Sequence, residues 1–527
     1  MRRAGWAIAI VAGVLALAHA ISRTWLCDDA FISFRYADHL AHGHGLVFNV
    51  GERVEGDTNF LWTLWIAVGR LFGASATGWA IVWGLVAYAG TIALVARRSL
   101  QLDDIPSAVV FAAAHVGWAE FATSGLETSA FTLCAFAGYV LVCPESDEPA
   151  SRRRIAAAGA VFALASLTRP DGVLFGAVAG AWLLAQKRVR DGLVLAAAFA
   201  IVWLPPTVWR ISYYGDFFPN TYYAKSAWLP WWSQGRWYGL WYLERYLPFV
   251  LVPFALLTKA RKRAALELAM VAVYTLYVMR VGGDFMFARL FVPLTPFLVL
   301  LLQRAIGLCR PHMRIVLTVA AAASLKWMPM PPRDNLRGIF DERHFYAIRS
   351  WAVDSDAHGA VLARQLRGLP VVLGFSGAAA RLVYRSDVPT AIETETGLTD
   401  PEIAHQPLMA RGRVGHEKHA QPAYLFSRGV DFVNAPFDVR GLSEELPHLE
   451  IDLGEGARLV VIAWRPEIMN AVLARGATFP DLADQLGKEL ARWSEQKPAV
   501  VAREMDLFMR ALQSLPSADG GDRSRPR

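Results

Sequence analysis

Two adjacent carboxylates, Asp28 and Asp29, stand directly after an apolar run that begins at Trp6. Neighbouring side chains on a helix point about 100° apart, so only one of the two can face a given pocket. A carboxylate at this position can act as a general base toward a hydroxyl group at a membrane surface. We favour Asp28 for this role, and we expect Asp29 to cap the helix that begins with AFISFRY or to share the catalytic work.

Metal binding is the rival role for these carboxylates. Hard oxygen ligands suit a divalent cation, and Asp28 and Asp29 could be joined by Glu127 or Asp284. The sequence shows no fixed ligand spacing in support of this, the three nearby histidines form no helical HxxxH pair, and the four cysteines form no CxxC motif. We therefore predict no cofactor, and a divalent metal stays an open alternative without support from ligand spacing.

Basic residues beside acidic ones are the second group with evident chemistry. They are Arg35, Arg169, Lys225 and Arg289. An arginine fork matches phosphate oxygens bidentately and a lysine acts as a point charge, so these residues could hold a phosphate at the edge of a bilayer. The alternative is an ion pair with a neighbouring acid. The neighbouring acids are Asp171, Asp216 and Asp284, each of which could also be a solvated or helix-capping residue.

The composition is that of a polytopic membrane protein. Of 527 residues, 54% are apolar and only 19% are charged, which excludes an ordinary soluble enzyme. The net charge is +7, but the basic residues form short clusters between apolar runs and do not gather on one face or tail. Nucleic acid is therefore not a predicted partner, whereas the lipid bilayer is.

Eleven mostly apolar runs predict about eleven transmembrane helices, since one span needs about 20 residues. The runs lie near 4–23, 77–96, 105–121, 127–143, 154–169, 171–187, 191–210, 246–258, 264–281, 288–308 and 313–328. A further segment, NFLWTLWIAVGRLFG from Asn59, carries Arg70 and covers only about 22 Å at 1.5 Å per residue. We assign this segment to the membrane interface, like the helix after Asp29.

Short basic clusters set the predicted orientation. With eleven spans they all fall on one side of the membrane, which the positive-inside rule makes cytoplasmic. The clusters are Arg2-Arg3, Arg97-Arg98, SRRR (151–154), QKRVR (186–190), TKARKR (258–263) and RPHMR (310–314). The N-terminus is therefore predicted to be cytoplasmic, with an uncleaved first helix, and the acidic loops, including the first outer loop at 24–76, to be extracytoplasmic.

The chain changes character after the last apolar run. Residues 1–330 form the predicted transmembrane core, and residues 331–513 a soluble α/β domain on the outer side. Within it, LPVVLGFS (369–376) and ARLVVIAW (457–464) have the length and composition of strands, and ADQLGKELARWSEQ has a helical pattern. The tail at 514–527 is rich in Ser, Gly, Asp and Arg and is predicted to be disordered.

These features together resemble the C-type (GT-C) integral-membrane glycosyltransferases, and more closely the terminal β-(1→2)-arabinofuranosyltransferases of actinobacterial cell-wall arabinan. The stretches that carry the resemblance are DDAFISFRYADHLAHGHGLVFNVGERVEGDTNFLWT, SGLET, TRPDG, YYGDFFPNTYYAK, GGDFMFARLFVPL, TGLTDPEIA and GRVGHEKH. The resemblance implies transfer of D-arabinofuranose from a polyprenyl-phosphate donor to an extracytoplasmic envelope glycan or glycoprotein. It also implies a multi-pass protein of the bacterial inner (cytoplasmic) membrane with an outward-facing active site.

The resemblance also implies roles for individual residues. Asp28 or Asp29 corresponds to the catalytic carboxylate, and Arg169, Lys225 and Arg289 to donor or phosphate contacts. The expected substrate-binding residues are Glu127, Asp171, Asp216, Asn220, Tyr223, Asp284, His416 and Lys418. A β-linked product from a β-linked donor implies net retention, which would call for a carboxylate nucleophile, and the neighbouring aspartate is a candidate.

Other functions give different expectations. A transporter or flippase for a lipid-linked sugar would place polar residues at mid-span and show repeat symmetry, and the sequence shows neither. A membrane-anchored binding or assembly protein would leave the outward acids unexplained. A GT-C transferase that moves another sugar to lipopolysaccharide or protein is consistent with all of the motifs and stays open.

Overall fold

The computed structural model describes residues 2–145, 148–327, 337–348, 351–376, 378–434 and 445–515. The chain divides into two compact units. The first comprises Met1–Arg349 with Pro407–Glu417, and the second comprises Ser350–Gln406 with Lys418–Arg527. The boundary between the units therefore lies after the predicted boundary at residue 330. In addition, a short segment from the C-terminal part of the chain packs with the first unit.

The first unit is built of helices. They are α1 (Arg2–Ser22), α2 (Ala30–Ala41), α3 (Phe60–Leu71), α4 (Ala76–Leu102), α5 (Ser107–Ala114), α6 (Val116–Phe121), α7 (Thr128–Val142), α8 (Arg152–Thr168), α9 (Val173–Ala185), α10 (Val189–Tyr214), α11 (Asn220–Ala224), α12 (Trp232–Arg245), α13 (Arg261–Arg280), α14 (Thr295–Ile306), α15 (Pro311–Trp327) and α16 (Glu342–Ile348). Three 3-10 segments join them at Pro170–Gly172, Leu247–Leu257 and Arg289–Leu294.

Every predicted apolar run contains helical backbone, but few of the helices are long. By length and composition, α1, α4, α10 and the stretch Arg289–Ile306 could each cross a membrane. The count becomes five if α12 and the 3-10 segment after Tyr246, bent by 88°, form one span. The run at 105–121 is broken because His115 is extended and caps α6 through a hydrogen bond from Trp118 N. The structure thus supports four or five spans among the described residues, and the predicted eleven are not confirmed.

The first outer loop folds into α2 and α3, where the sequence predicts helices. Arg70 of α3 forms an ion pair with Asp38 of α2. Asp29 occupies the N-cap position of α2, but its side chain makes no capping hydrogen bond. The capping role predicted for Asp29 is therefore wrong, and its carboxylate is directed to other groups.

Two long-range attachments hold the outward loops in place. At the start of α11, Asn220 N donates to the Glu55 carbonyl of the first outer loop at 2.9 Å. Just before α16, Phe340 N donates to Phe285 O at 2.7 Å, and Phe287 N donates to Phe340 O at 2.8 Å. The segment before α16 thus pairs with the loop GGDFMFAR, so the backbone of this loop has fixed partners.

The second unit is a mixed α/β structure. Its elements are α17 (Trp351–Gln365), β1 (Val372–Phe375), α18 (Ala380–Ser386), β2 (Thr390–Glu393), α19 (Pro401–Ala404), α20 (Pro422–Ser427), β3 (Phe432–Asn434), β4 (Glu450–Asp452), β5 (Arg458–Val461), α21 (Pro466–Ala474), α22 (Leu482–Trp493) and α23 (Pro498–Ser514). The strand order is β2-β1-β3-β5-β4. β1 is parallel to β2 and β3, and β5 is antiparallel to β3 and β4. The predicted strands at 369–376 and 457–464 are confirmed as β1 and β5, whereas the predicted tail lies outside the described residues from 516 onward.

Candidate active site

A cavity of about 420 Å³ in the first unit gathers much of the outward charge. Its charged lining residues are Glu127, Arg169, Asp171, Lys225, Arg280, Asp284, Arg289, Arg411 and Glu417. Aromatic lining residues are Phe218, Tyr222, Trp231 and Tyr277. Six of the predicted site residues come together here, although they are spread over more than 160 positions of the chain. They are Glu127, Arg169, Asp171, Lys225, Asp284 and Arg289.

Arg169 enters the cavity from the C-terminal end of α8. Pro170 follows it, and because a residue before proline disfavours helical backbone, Arg169 is extended and ends the helix. Its Nε and Nη2 donate to the two oxygens of Asp171 at 3.1 and 2.8 Å, and its Nη1 lies 3.8 Å from Glu127 Oε1. TRPDG therefore builds a buried arginine fork against its own aspartate.

Arg289 stands opposite several acids. Its Nη2 lies 3.7 Å from Glu127 Oε1, and its Nη1 lies 3.5 Å from Asp284 Oδ2 and 4.0 Å from Asp29 Oδ2. The loop that carries it needs glycine at Gly283, where φ is +76° and an added Cβ would lie 2.5 Å from the Tyr238 ring. The GGDFMFAR motif thus combines a tight backbone turn with an acid and a base.

Two supporting residues lie outside the predicted set. Asn59 Nδ2 donates to Glu127 Oε2 at 3.2 Å, and Tyr274 Oη donates to Asp171 Oδ2 at 2.6 Å. Asn59 ends the acidic stretch GERVEGDTN of the first outer loop, which is a usable signal. Tyr274 lies within the long apolar helix α13, where nothing distinguishes a hydrogen-bonding tyrosine from a packed one.

Both arginines retain donor atoms without hydrogen-bond partners. Arg169 Nη1 and Arg289 Nε are buried and have no hydrogen-bond acceptor among the described residues. A buried unsatisfied donor is costly, more so on a charged group. These two N–H groups therefore favour an anion with several acceptor oxygens in the cavity, such as a phosphate.

The acidic pair divides between two environments. Asp28 is only 5% exposed, whereas the Asp29 side chain retains 34% exposure and faces Arg289. Burial raises the pKa of Asp29, and Arg289 and Lys225 oppose the rise. The structure thus brings Asp29 to the arginine of the cavity, which differs from the preference for Asp28 drawn from the sequence.

A third carboxyl group near this pair was not predicted. Glu342, at the start of α16, is 4% exposed and lies 3.3 Å from Arg413 Nη2. Burial raises the pKa of Glu342 to about 8, Arg413 opposes this, and the charges of Asp29 and Asp284 add to it. Glu342 is therefore a buried carboxyl group that lies beside a cation and near the acidic pair. No sequence motif marks Glu342.

The segment Pro407–Glu417 supplies one wall of the cavity through Arg411, Val414 and Glu417. It crosses the stem of Lys225 at Gly415, where φ is +77° and an added Cβ would lie 3.2 Å from Lys225 Cε. Only glycine combines this backbone with such a close approach. The GRVGHEKH motif therefore contributes through its backbone and through residues other than those predicted.

Replacing Gly415 by alanine is expected to displace Lys225 and to lower kcat/KM about tenfold. The reason is loss of the charge-assisted contact with a donor phosphate that the sequence predicts for Lys225. The left-handed backbone should also cost about 1 kcal/mol of unfolding free energy. The measurements are donor kinetics and thermal unfolding. Gly429→Ala is the matched control, since its φ is +65° and an added Cβ would meet nothing within 4 Å. Equal kinetics in the two variants would contradict the role of the Lys225 contact.

The remaining predicted residues lie elsewhere. Arg35 is buried in the first outer loop, where its Nε donates to Phe48 O at 2.7 Å. Asp216 accepts a 2.8 Å hydrogen bond from Tyr223 Oη, and neither residue lines the cavity. The others are Asn220, at the start of α11, His416, whose ring contacts Phe285, and Lys418, which belongs to the second unit and donates to Ala404 O.

The acids of the cavity do not converge as metal ligands. Among the described residues, the group of His, Asp and Glu close enough to share an ion is His448, Glu489 and Glu504 of the second unit. Arg492 forms ion pairs with both of these glutamates. In the cavity, arginines stand between the acids, which is an arrangement for binding an anion and not a cation.

Comparisons with known proteins agree with this architecture. No family model matches the sequence. A terminal β-(1→2)-arabinofuranosyltransferase of Mycobacterium tuberculosis is 28% identical over 530 residues, covering 77% of this chain and 83% of the relative. An enzyme of the same name from Corynebacterium glutamicum is 30% identical over 342 residues, covering 54% of this chain and 48% of the relative.

Solved structures show the same fold. The crystal structure of ArnT from Cupriavidus metallidurans in the apo state has a TM-score of 0.60 at 14% identity, covering 89% of this chain and 99% of ArnT. The structure of ArnT bound to undecaprenyl phosphate has a TM-score of 0.53, also at 14% identity, covering 76% of this chain and 87% of that one.

The chain thus has the GT-C fold of ArnT, and its sequence relatives together with this fold support a glycosyltransferase. The resemblance drawn from the sequence motifs is thereby confirmed. Both curated relatives carry the same name, terminal β-(1→2)-arabinofuranosyltransferase.

Proposed function

We propose that this glycosyltransferase moves D-arabinofuranose from a polyprenyl-phosphate donor to an extracytoplasmic glycan. The observation that carries the proposal is the cavity in which Arg169 and Arg289 present unsatisfied N–H groups, with Asp29 4.0 Å from Arg289. The names of the curated relatives support the sugar, and the ligand of the ArnT complex supports the lipid phosphate.

The cavity residues, together with Asp29 beside Arg289, suit each step of such a transfer. The acceptor hydroxyl oxygen forms a bond to the anomeric carbon of the sugar, and its proton passes to the Asp29 carboxylate. The bond between the anomeric carbon and the phosphate oxygen breaks, and its electron pair stays on the phosphate. Arg169, Arg289 and Lys225 stabilise the charge that develops there.

Net retention would need two displacements in place of one. Asp29 would then attack the anomeric carbon, and the acceptor would displace it in the second step. A second carboxylate would then take the proton of the acceptor hydroxyl, and the neighbouring Asp28 is the candidate for this role. The anomeric configuration of the product, read by NMR against that of the donor, distinguishes the two routes.

The proposed location is the bacterial cytoplasmic membrane, with the N-terminus inside and the cavity outside. The support is the charge asymmetry of the sequence, in which the basic clusters alternate with the acidic loops. Most residues of the cavity come from the acidic loops, so donor lipid and envelope acceptor would meet them on the outer side.

The test is release of free polyprenyl phosphate by the purified full chain in nanodiscs. The donors are decaprenylphosphoryl-arabinofuranose and the same lipid phosphate bearing other sugars, with an arabinan oligosaccharide as acceptor. We expect release and acceptor extension with the arabinofuranosyl donor. Release with a different sugar only would reject the arabinose assignment, and no release from any donor in the presence of extracted envelope acceptors would reject the proposal.

A further inference from the structure

An ion pair on the segment Pro407–Glu417 lines the cavity and involves neither of the two arginines that have unsatisfied donors. Arg411 Nη1 lies 3.2 Å from Glu417 Oε1 and 3.4 Å from Glu417 Oε2. The Glu417 side chain is only 1% exposed, and the Arg411 side chain is 25% exposed. Both residues belong to the cavity wall.

Arg411 is held from three sides. Besides its pair with Glu417, its Nη2 donates to Leu229 O at 3.1 Å, and its guanidinium lies 4.8 Å from the centre of the Trp231 ring. A planar cation stacked on an aromatic face and fixed by hydrogen bonds loses most of its freedom. Arg411 therefore keeps the Glu417 carboxylate in one orientation.

Two other acids of the cavity already have hydrogen-bond and ion-pair partners beside the phosphate-binding arginines. Asp171 accepts from Arg169 and Tyr274, and Glu127 accepts from Asn59 and lies between Arg169 and Arg289. These acids keep the arginine forks oriented. Glu417 differs because its ion pair is with Arg411, which is not one of the two arginines that present unsatisfied donors.

Charge decides which part of a donor Glu417 can meet. A carboxylate repels a phosphate, so the two cannot be direct neighbours without a cation between them. A carboxylate is, however, an acceptor for neutral hydroxyl groups, and its two oxygens can take hydrogen bonds from two adjacent hydroxyls. The cavity thus has arginine N–H groups that can bind the phosphate of the donor substrate. It also has an oriented carboxylate that can accept hydrogen bonds from the sugar hydroxyls.

We infer that Glu417, oriented by Arg411, is a specificity-determining residue that accepts hydrogen bonds from the ring hydroxyls of the donor sugar. This inference rests on the proposed function and names the part of the donor that the segment Pro407–Glu417 recognises. A sugar whose hydroxyl has the opposite configuration leaves the buried carboxylate without its donor, and such mismatches are penalised strongly.

The test compares Glu417→Gln with the unchanged protein on two donors that differ at one carbon. These are decaprenylphosphoryl-arabinofuranose and its ribofuranosyl epimer, and decaprenyl phosphate without sugar is a competitive probe. We expect kcat/KM for the preferred donor to fall about 10- to 100-fold, as for a lost hydrogen bond to a charged group. The preference between the epimers should shrink, while inhibition by decaprenyl phosphate stays unchanged.

Two further variants sharpen the result. Arg411→Lys keeps a positive charge but loses the planar fork, so it should weaken the epimer preference in the same direction and less than Glu417→Gln. Glu402→Gln makes the same change of charge at an exposed glutamate of α19 and should leave both donors unaffected.

Two outcomes would overturn the inference. One is an unchanged epimer preference in Glu417→Gln, and the other is an equal loss of binding for decaprenyl phosphate and for the sugar donors, which would mean a general collapse of the cavity. Failure of the proposed function has a separate signature, because the unchanged protein would then release decaprenyl phosphate from neither donor.

Discussion

Asp29→Asn is expected to lower the rate of glycosyl transfer about 100- to 10 000-fold, the range for loss of a general base. The amide has nearly the shape of the carboxylate, so the helix α2 and the contact region of Arg289 should stay folded. The reason is positional, since Asp29 faces Arg289 at 4.0 Å while its side chain remains one-third exposed. The measurement is single-turnover transfer with saturating donor, together with thermal unfolding to show an intact protein.

The pH dependence of transfer activity is an independent test of the role of Asp29. Burial raises the pKa of Asp29 above its ordinary value of 3.8, in spite of Arg289 and Lys225. A base must be ionised to accept a proton, so activity should be lost as pH falls through this raised pKa, at higher pH than for an exposed aspartate. The Asp29→Asn variant should lack this acidic limb in its residual activity.

Asp28→Asn is the matched control, because it makes the same change at the adjacent, buried position. We expect it to retain more activity than Asp29→Asn. A reversed order, with transfer abolished in Asp28→Asn and preserved in Asp29→Asn, would return the catalytic role to the residue favoured on sequence grounds. Equal and complete loss in both variants would instead support a mechanism with two carboxyl groups.

Arg289→Gln should have the second large effect, a decrease in kcat/KM of about 100- to 1000-fold. Arg289 lies against Glu127, Asp284 and Asp29. Its removal takes away a cation from the leaving phosphate and removes the ion pair of the buried Asp284. Competition by decaprenyl phosphate should weaken together with donor use, which separates this variant from Glu417→Gln.

Arg289→Lys separates charge from geometry. The lysine supplies a positive charge to the acids, and it lacks the planar fork that can meet two phosphate oxygens at once. We expect thermal stability close to that of the unchanged protein but donor binding still reduced. Full activity in Arg289→Lys would show that a point charge suffices at this position and would contradict a bidentate phosphate contact.

The grouping of Glu127, Arg169, Asp284 and Arg289 follows from features that a sequence carries. Each lies near the end of an apolar run, and Arg169 and Asp284 stand directly beside a Pro or Gly residue. The basic clusters at the opposite ends of these runs predict that all four face one side. Residues at the same end of a helical bundle are therefore expected to lie close to one another. Their roles in binding stay predictions until variants are measured.

Other features depend on contacts that local sequence does not encode. The sequence predicts that Arg35 could contact a phosphate, but in the structure its Nε donates to the Phe48 carbonyl. The orientation of Asp28 and Asp29 depends on the turn before α2, where helical periodicity gives no answer. Arg411 and Glu417 lie more than 120 positions after Arg289, and only tertiary packing brings their segment to the cavity wall.

The carboxylates that accompany the arginines bear on how the enzyme finishes a cycle. Asp171, Glu127 and Asp284 already pair with Arg169 and Arg289 within the chain, so a phosphate has to share these guanidinium groups with them. Under the proposed function, the free energy of holding the spent lipid phosphate is therefore a small difference between two ion-paired arrangements. Such a site can stabilise charge while it develops and still let the lipid diffuse back into the bilayer, which keeps turnover from stalling on its own product.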